Sequence, residues 1–237
     1  MGINTEYRTL ETEIMDDFSL EGNELQDALD KIARINQLLG GNKLTLHGIK
    51  TLLEKTTIPK TITVADIGCG NGDMLRMLAE YGQKNNLNFK LIGVDANAFT
   101  IDYAKTLSNE YSNIEYVCLD IFSDDFTTLQ YDIVLCTLTL HHFTNEQILN
   151  IITIFNNNAK IGIVINDLHR SKLAYRLFKL ICTLFNLNNM SREDGLVSIL
   201  RGFKKQDLEN FSKKLNLKNY TINWKWAFRY QWIIAKK

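Results

Sequence analysis

The chain has 237 residues with 27 basic and 27 acidic side chains, so its formal net charge is zero. This length fits one large domain with small extensions, and the lack of a basic surplus argues against a nucleic-acid partner. The four cysteines form no C-x-x-C pair, so we expect neither a metal site nor a redox dithiol.

The N-terminal part of the chain is predicted to be helical. It opens with polar and acidic residues and lacks a signal-peptide pattern, so we expect a cytoplasmic protein. Apolar residues recur at helical spacing over 23–39, and a second helix is predicted over 44–55. We therefore predict a helical cap over 1–58 that precedes a core over 59–237. Five cap side chains are candidates to reach the functional site: Met15, Asp16, Asp17, Arg34 and Asn36.

Strands and helices alternate after the cap. The predicted strands cover 61–67, 89–94, 114–119, 131–137 and 160–166. The predicted helices cover 71–83, 97–109 and 145–157, with a short one at 124–129. Such alternation is typical of parallel strands joined by right-handed crossovers, so the predicted class is α/β, a doubly wound sheet with helices on both faces.

The chain changes character after the fifth strand, where we predict a helical insertion over about 168–202. Residues 170–187 form a helix that is apolar over most of its surface, and it is followed by a polar loop over 188–202. Such a helix must bury two sides, one of them against an apolar substrate, a lid or a second subunit, so a homodimer is one option. Its recurring basic residues and its length argue against a membrane span. A helix over 204–215 and a strand hairpin complete the chain.

The most informative segment is VADIGCGNGD at residues 64–73. Glycines at alternate positions let the backbone turn out of a strand and lie against a small ligand. A dinucleotide fingerprint would place a third glycine where Asp73 stands. Asp66 and Asp73 would repel phosphate groups and suit a ligand with an amine or a sulfonium.

This loop with its flanking acids resembles motif I of the class I S-adenosylmethionine-dependent methyltransferases. The resemblance covers about 60–167 and implies a seven-stranded sheet, five parallel strands plus a C-terminal hairpin whose last strand lies antiparallel beside the fifth. It also implies S-adenosyl-L-methionine as the cofactor. Through residues 8–36, NDLHR and DGLVSILRGF, most of the chain is similar, more loosely, to a bacterial subgroup of small-molecule methyltransferases with polyketide-type and quinone-type aromatic acceptors.

Acidic residues at strand ends are the candidates to hold the donor. Asp95 ends the second strand, where α/β nucleotide folds place an acid on ribose hydroxyls, although it also fits a helix cap. The resemblance implies that Asp120 accepts from the adenine amino group, and Ile121 and Phe122 would pack on the ring. The full predicted donor set is Asp66, Gly68, Cys69, Gly70, Gly72, Asp73, Asp95, Ala96, Asp120, Ile121, Phe122 and Thr137.

Polar residues after the fourth and fifth strands are the candidates to touch the acceptor. His141 and His142 follow strand four, and either could be a general base because histidine titrates near neutral pH, although both could instead orient loops. Asp167, after strand five, is a further catalytic candidate. His169 and Arg170 are substrate candidates, and Asp167 and Arg170 could also form a buried pair.

The leading hypothesis is methyl transfer to a hydroxyl or an activated carbon of a small apolar or aromatic molecule. A catalytically silent donor-binding subunit or regulator is the first alternative. RNA or protein methylation is another, although strand pairing explains the aromatic and basic residues near the C-terminus more simply. A nicotinamide dehydrogenase is disfavoured by Asp73.

Overall fold

The computed structural model describes residues 3–236, and within that range seven strands form one sheet. The strands are β1 (Ile62–Ile67), β2 (Phe89–Asp95), β3 (Ile114–Cys118), β4 (Tyr131–Thr137), β5 (Ala159–Leu168), β6 (Tyr220–Lys225) and β7 (Arg229–Ala235). Their order is β3-β2-β1-β4-β5-β7-β6. Strands β1 to β5 are parallel, and β7 lies antiparallel between β5 and β6. The predicted doubly wound sheet with its C-terminal hairpin is confirmed.

Helices connect and cover the strands. They are α1 (Asn23–Leu38), α2 (Gly41–Leu53), α3 (Asp73–Asn85), α4 (Ala98–Leu107), α5 (Asp124–Thr127), α6 (Asn145–Asn158), α7 (Lys172–Leu184), α8 (Asn189–Arg201) and α9 (Lys205–Lys214). Short 3-10 turns occupy Ile14–Asp16 and Leu140–His142. None of the helices within residues 3–236 has the length and apolar character that crossing a membrane requires.

The central strands β1, β4 and β5 bury both of their faces, since successive side chains point to opposite sides of the sheet and helices cover both sides. In β1, Ile62 and Val64 pack with α2 and α3, whereas Ala65 and Ile67 pack with α6 and α9 on the other face. The two hydrophobic cores therefore enclose the parallel strands. Their carboxyl ends are left to form a ligand-binding edge.

The two N-terminal helices have different surroundings. Helix α2 packs directly on the sheet, since a Cβ at Gly48 would lie only 2.5 Å from the side chain of Val164. Helix α1 instead buries Leu25 and Leu29 in a separate cluster with Met190 of α8. The division into a cap over 1–58 and a core over 59–237 stays a prediction.

Residues 3–22, before α1, are mostly irregular, and the prediction of a helical start was wrong for them; residues 1–2 of that prediction lie outside the described residues. We call residues 5–18 the N-terminal strap. Its backbone N–H groups bond to distant partners: Ile14 and Met15 donate to the carboxylate of Asp194 at 2.6 and 2.9 Å. Tertiary hydrogen bonds therefore satisfy these backbone N–H groups, which need no helical partner.

The predicted loop over 188–202 is in fact helix α8, which begins after the N-cap Asn188. The amide N–H of Ser191 donates to the Asn188 side chain at 2.8 Å. The helix was missed because several of its polar residues, including Asp194, Ser198 and Arg201, are buried. Burial of polar residues removes the apolar stripe by which an amphipathic helix is normally detected.

Candidate functional site

The glycine loop after β1 has the backbone that its sequence predicts. Gly68, Gly70 and Gly72 have φ of +68°, +52° and +78°, a region that glycine adopts without strain. A Cβ at Gly68 would lie 2.3 Å from the hydroxyl of Thr139, and one at Gly70 would meet only Leu29, at 3.7 Å. The side of Gly70 thus opens into free space that a ligand can fill.

That space belongs to a cavity of about 1160 Å³ at the carboxyl edge of the sheet. It is bordered by the glycine loop, the ends of β2, β3 and β4, the strap, α1, α7 and α8. All the predicted donor residues border it except Gly72, which is a correction. A Cβ at Gly72 would lie 1.9 Å from the hydroxyl of Tyr116, so this glycine serves the packing of the loop.

Two carboxylates of the predicted donor set are withdrawn from solvent. Asp66 is 3 % exposed, and its Oδ1 has no hydrogen-bond partner among residues 3–236. Burial raises the pKa of Asp66 well above its usual range, and the charges of Asp73 and Asp95 add to the rise. A cationic ligand group beside Asp66 would favour its ionised form.

Asp95 lies at the end of β2, between the glycine loop and the start of α4. Its carboxylate accepts from the backbone N–H of Gly70 at 3.2 Å and from that of Asn97 at 3.1 Å. Burial raises the pKa of Asp95, and those two N–H groups oppose the rise. The N-cap of α4 is Asn97, which accepts from the N–H of Thr100 at 2.7 Å. Asp95 is therefore not the helix cap.

The remaining donor candidates surround these acids. Asp120 is exposed and accepts from the N–H of Phe122 at 2.9 Å, while Ile121 is buried beside it. Asp73 accepts from the side-chain amide of Asn42 at 2.6 Å. The Thr137 hydroxyl lies 3.0 Å from that of Thr45. Helix α2 thus contacts two of the predicted donor residues directly.

The paired histidines after β4 each bond to a carboxylate. His142 Nδ1 lies 2.6 Å from Asp16 Oδ1 of the strap, and the His142 side chain is 26 % exposed. His141 is buried, and its Nδ1 lies 2.7 Å from Asp167 Oδ1. The two rings stack with centroids 4.4 Å apart. His142 is the histidine that a ligand in the cavity can reach.

Strap and α8 residues complete a charged network around this pair. Arg201 donates to Asp16 Oδ2 at 2.6 Å and to the carbonyl oxygens of both histidines. Burial by itself raises the pKa of Asp16, but the hydrogen bonds from His142 and Arg201 hold it well below its usual range. Asp16 therefore remains ionised at neutral pH.

Glu13 is the buried acid of this network. Its Oε2 accepts from the hydroxyl of Ser198, whereas its Oε1 lies 3.7 Å from His141 Nε2. Burial raises the pKa of Glu13 to about 7. Glu13, His141 and His142 place possible metal-ligand atoms within 4.8 Å of one another. The guanidinium of Arg201, 3.6 Å from Glu13 Oε1, supplies positive charge there.

Asp167 and Arg170, which the sequence left open as a buried pair, do not bond to each other. Asp167 is bound to His141 and does not border the cavity, so its geometry is that of a group that positions the histidine. Arg170 instead donates to Asp207 at 3.0 Å and to the carbonyl oxygens of Thr5, Glu6 and Gly202. Two of these acceptors, the carbonyl oxygens of Thr5 and Glu6, belong to the strap, so the guanidinium of Arg170 links the strap to the rest of the fold. His169 borders the cavity, and the indole N–H of Trp224 donates to its Nδ1 at 3.1 Å.

Only some of the cap side chains that were predicted to reach the functional site border the cavity. Met15, Asp16, Asp17 and Asn36 border the cavity, whereas Arg34 is exposed on another side of α1, so that prediction was wrong. Three residues of this region were not among the predicted candidates: Glu13, Arg201 and Arg8, the last of which donates to the carbonyl oxygens of His141 and Phe143. The only sequence signal was an acid pair near the start and an arginine near residue 200, and nothing local relates them.

Comparisons with known proteins agree with this geometry. Residues 64–162 match the family described as "Methyltransferase domain". Protein 235L of Invertebrate iridescent virus 6, to which a methyltransferase function is ascribed, is 31 % identical over 98 residues, which are 41 % of this chain and 34 % of that protein. The chain thus matches about a third of the length of this relative.

Solved structures extend the similarity to most of the fold. The Synechocystis PCC 6803 magnesium protoporphyrin IX methyltransferase ChlM with bound SAH is 18 % identical, with a TM-score of 0.55 over 83 % of this chain and 84 % of that one. The plantazolicin methyltransferase BamL, in complex with a triazolic desmethylPZN analog and SAH, is 14 % identical, with a TM-score of 0.64 over 90 % and 97 %. Residues 64–162 thus match a methyltransferase domain, and the chain shares its fold with these solved structures.

Proposed function

Since the sheet core is a methyltransferase domain, we propose that the protein transfers a methyl group from S-adenosylmethionine to a hydroxyl or an activated carbon of a small apolar or aromatic molecule. The observation that supports the proposal is that a single cavity is bordered by Asp95, at the end of β2, and by His142, in the turn that follows β4. A donor and an acceptor can therefore meet within one enclosure.

The residues at the carboxyl edge of the sheet fit the donor. The free space beside Gly70 gives its nucleoside close approach to the backbone, and Asp95 is placed at the end of β2 to accept from ribose hydroxyls. The unpartnered Oδ1 of buried Asp66 suits a cationic group. Ile121 and Phe122 supply apolar contact beside Asp120.

An apolar acceptor fits the far part of the cavity. Leu177, Leu180 and Leu184 of α7 border it and remain 39 %, 61 % and 80 % exposed. Leu10 and Phe18 of the strap border the same opening and are also exposed. Apolar side chains that are exposed at the opening of a cavity are typical of an apolar ligand site.

When bound, the donor supplies a methyl group on a positively charged sulfur. The protein orients the acceptor, excludes water and removes a proton where the acceptor has one. Because ionised Asp16 accepts from Nδ1–H of His142, the Nε2 atom of that ring is left to accept a hydroxyl proton. Asp16 also stabilises the resulting imidazolium. His141, held by Asp167, packs against the ring and limits its rotation.

Isothermal titration with S-adenosylmethionine tests the donor half of the proposal. We expect saturable binding and a donor-dependent rise of the melting temperature. If millimolar donor produces neither heat nor a thermal shift, the proposal is rejected. A panel of phenols and β-dicarbonyl compounds, analysed for a gain of one methyl group by mass spectrometry, tests the acceptor half. Donor binding without any methylated product would favour the silent binding subunit.

A further inference from the structure

One arginine of β7 is buried without a protein partner. Arg229 is 3 % exposed, and its Nε and Nη1 atoms form no hydrogen bond with any group in residues 3–236. Arg170, which is equally buried, donates to three carbonyl oxygens and to the carboxylate of Asp207. A buried guanidinium is strongly unfavourable unless a partner compensates for its lost hydration. Arg229 therefore stands out among the buried arginines.

Arg229 keeps its charge at neutral pH. Burial lowers the pKa of Arg229 to about 10, and the charge of Asp167 opposes the fall. Asp167 does not neutralise it, since Asp167 is bound to His141. In the sheet Asp167 is paired with Tyr230, so its side chain and that of Arg229 point to opposite faces.

Arg229 belongs to the wall of the large cavity. Arg229 borders the same cavity as the glycine loop and His142. The start of α2 packs closely on this part of β7, since a Cβ at Gly41 would lie 3.2 Å from Arg229 Cζ and 1.8 Å from Asn36 Oδ1. Glycine at this position thus allows α2 to approach Arg229 and Asn36.

We propose that Arg229 binds a carboxylate group of a ligand in this cavity. The planar guanidinium matches a carboxylate with two parallel hydrogen bonds. Phosphate is disfavoured because Asp73 and Asp95 border the same cavity and would repel a multiply charged anion. Two sources can supply the carboxylate, the amino-acid end of the donor or an acidic acceptor. The inference rests on the proposed function for the identity of these two ligands.

The first test compares stability without ligand. Arg229→Met removes an unpaired buried charge and keeps most of the side-chain volume, so we expect the melting temperature to rise by about 2 °C or more. Arg170→Met is the matched control, because that arginine is equally buried but fully bonded, and its loss should lower the melting temperature. A fall for Arg229→Met of the size seen for Arg170→Met would show that the arginine has a structural role and would overturn the inference.

The second test is calorimetric binding to the wild type and to Arg229→Met. If the donor supplies the carboxylate, S-adenosylhomocysteine should bind the variant roughly 10- to 100-fold more weakly. Methylthioadenosine, which lacks the amino-acid part, should bind both proteins equally. If the acceptor supplies the carboxylate, S-adenosylhomocysteine binding should be unchanged, whereas 4-hydroxybenzoate should lose affinity and phenol should not.

These outcomes separate the inference from the proposed function. A wild-type protein that binds no S-adenosylhomocysteine contradicts the proposed function, and Arg229 is then judged by 4-hydroxybenzoate and by the stability comparison. If neither S-adenosylhomocysteine nor 4-hydroxybenzoate binds the variant more weakly than the wild type, the inference is overturned. Arg229→Lys should restore part of the lost affinity, because it keeps the charge without the planar pair of donors.

Discussion

Asp16 and His142 lie 126 residues apart in the chain, yet Asp16 Oδ1 and His142 Nδ1 are 2.6 Å apart in the structure. The first residue belongs to the strap and the second to the 3-10 turn Leu140–His142 that follows β4. This contact joins the N-terminal segment to the matched methyltransferase domain over 64–162. The proposed acceptor side of the site therefore depends on residues outside that domain.

Replacement of His142 by Asn should separate chemistry from donor binding. If His142 Nε2 accepts the proton of a hydroxyl acceptor, kcat/KM should fall by about 10²–10⁴-fold. The dissociation constant of S-adenosylhomocysteine should stay within about twofold, since Asp95 and the glycine loop are untouched. Steady-state kinetics and calorimetry measure the two quantities, and unchanged kinetics for a phenolic acceptor would show that His142 is not the base.

Arg8 should be a main anchor of the strap. It donates to the carbonyl oxygens of His141, Phe143 and Arg201 and to the side chain of Asn145. Arg8→Met should lower the free energy of unfolding by about 2–4 kcal/mol, because several buried acceptors lose a charged donor. Arg34→Met is the control, since Arg34 is exposed. Urea denaturation gives both values, and equal effects of the two substitutions would contradict the anchoring role.

Gly70 and Gly72 should respond differently to substitution by alanine. Both have positive φ, which costs alanine about 1–2 kcal/mol. A Cβ at Gly70 enters the free space beside the loop, so Gly70→Ala should weaken donor binding at least about tenfold with a small loss of stability. Gly72→Ala should cost more stability because its Cβ would clash with Tyr116. Donor affinity that survives in Gly70→Ala would place the donor elsewhere.

Asp66 should make the unliganded protein less stable as pH rises. Burial raises its folded-state pKa, so the folded protein holds a proton on Asp66 at pH values where the unfolded chain has released it. Asp66 makes its full contribution to the free energy of unfolding below pH 4. That contribution is lost as pH rises towards the pKa of Asp66 in the folded protein. Asp66→Asn removes this dependence. Its melting temperature should exceed that of the wild type by a margin that grows as pH rises above 4, and a pH-independent difference would refute the assignment.

The sheet was predictable because its signals are local. Each strand of the core is a short apolar run, and the alternation with helices limits the topology to a doubly wound sheet. The convergence of the proposed donor residues at one edge was predictable for the same reason, since Asp66 and Asp95 lie at the ends of strands and the glycines lie between a strand and a helix. Acids at the ends of neighbouring parallel strands must converge at one edge.

The acceptor side was only partly predictable because its contacts are not local. Glu13 and Arg201 lie near opposite ends of the chain, and the spacing of neither residue indicates the other. Helix α8 was hidden by its buried polar side chains, which bond to the strap rather than to water. The pair of Asp167 and Arg170 was a reasonable prediction from adjacency, but Asp167 points to His141 and Arg170 to Asp207.

A crystal structure of the protein with S-adenosylhomocysteine tests the central claim most directly. The account predicts that the nucleoside lies against Gly70, that both ribose hydroxyls are within hydrogen-bonding distance of Asp95, and that the thioether sulfur faces the part of the cavity bordered by His142. Electron density for the ligand away from the glycine loop, or protein side chains filling the space beside Gly70, would contradict it.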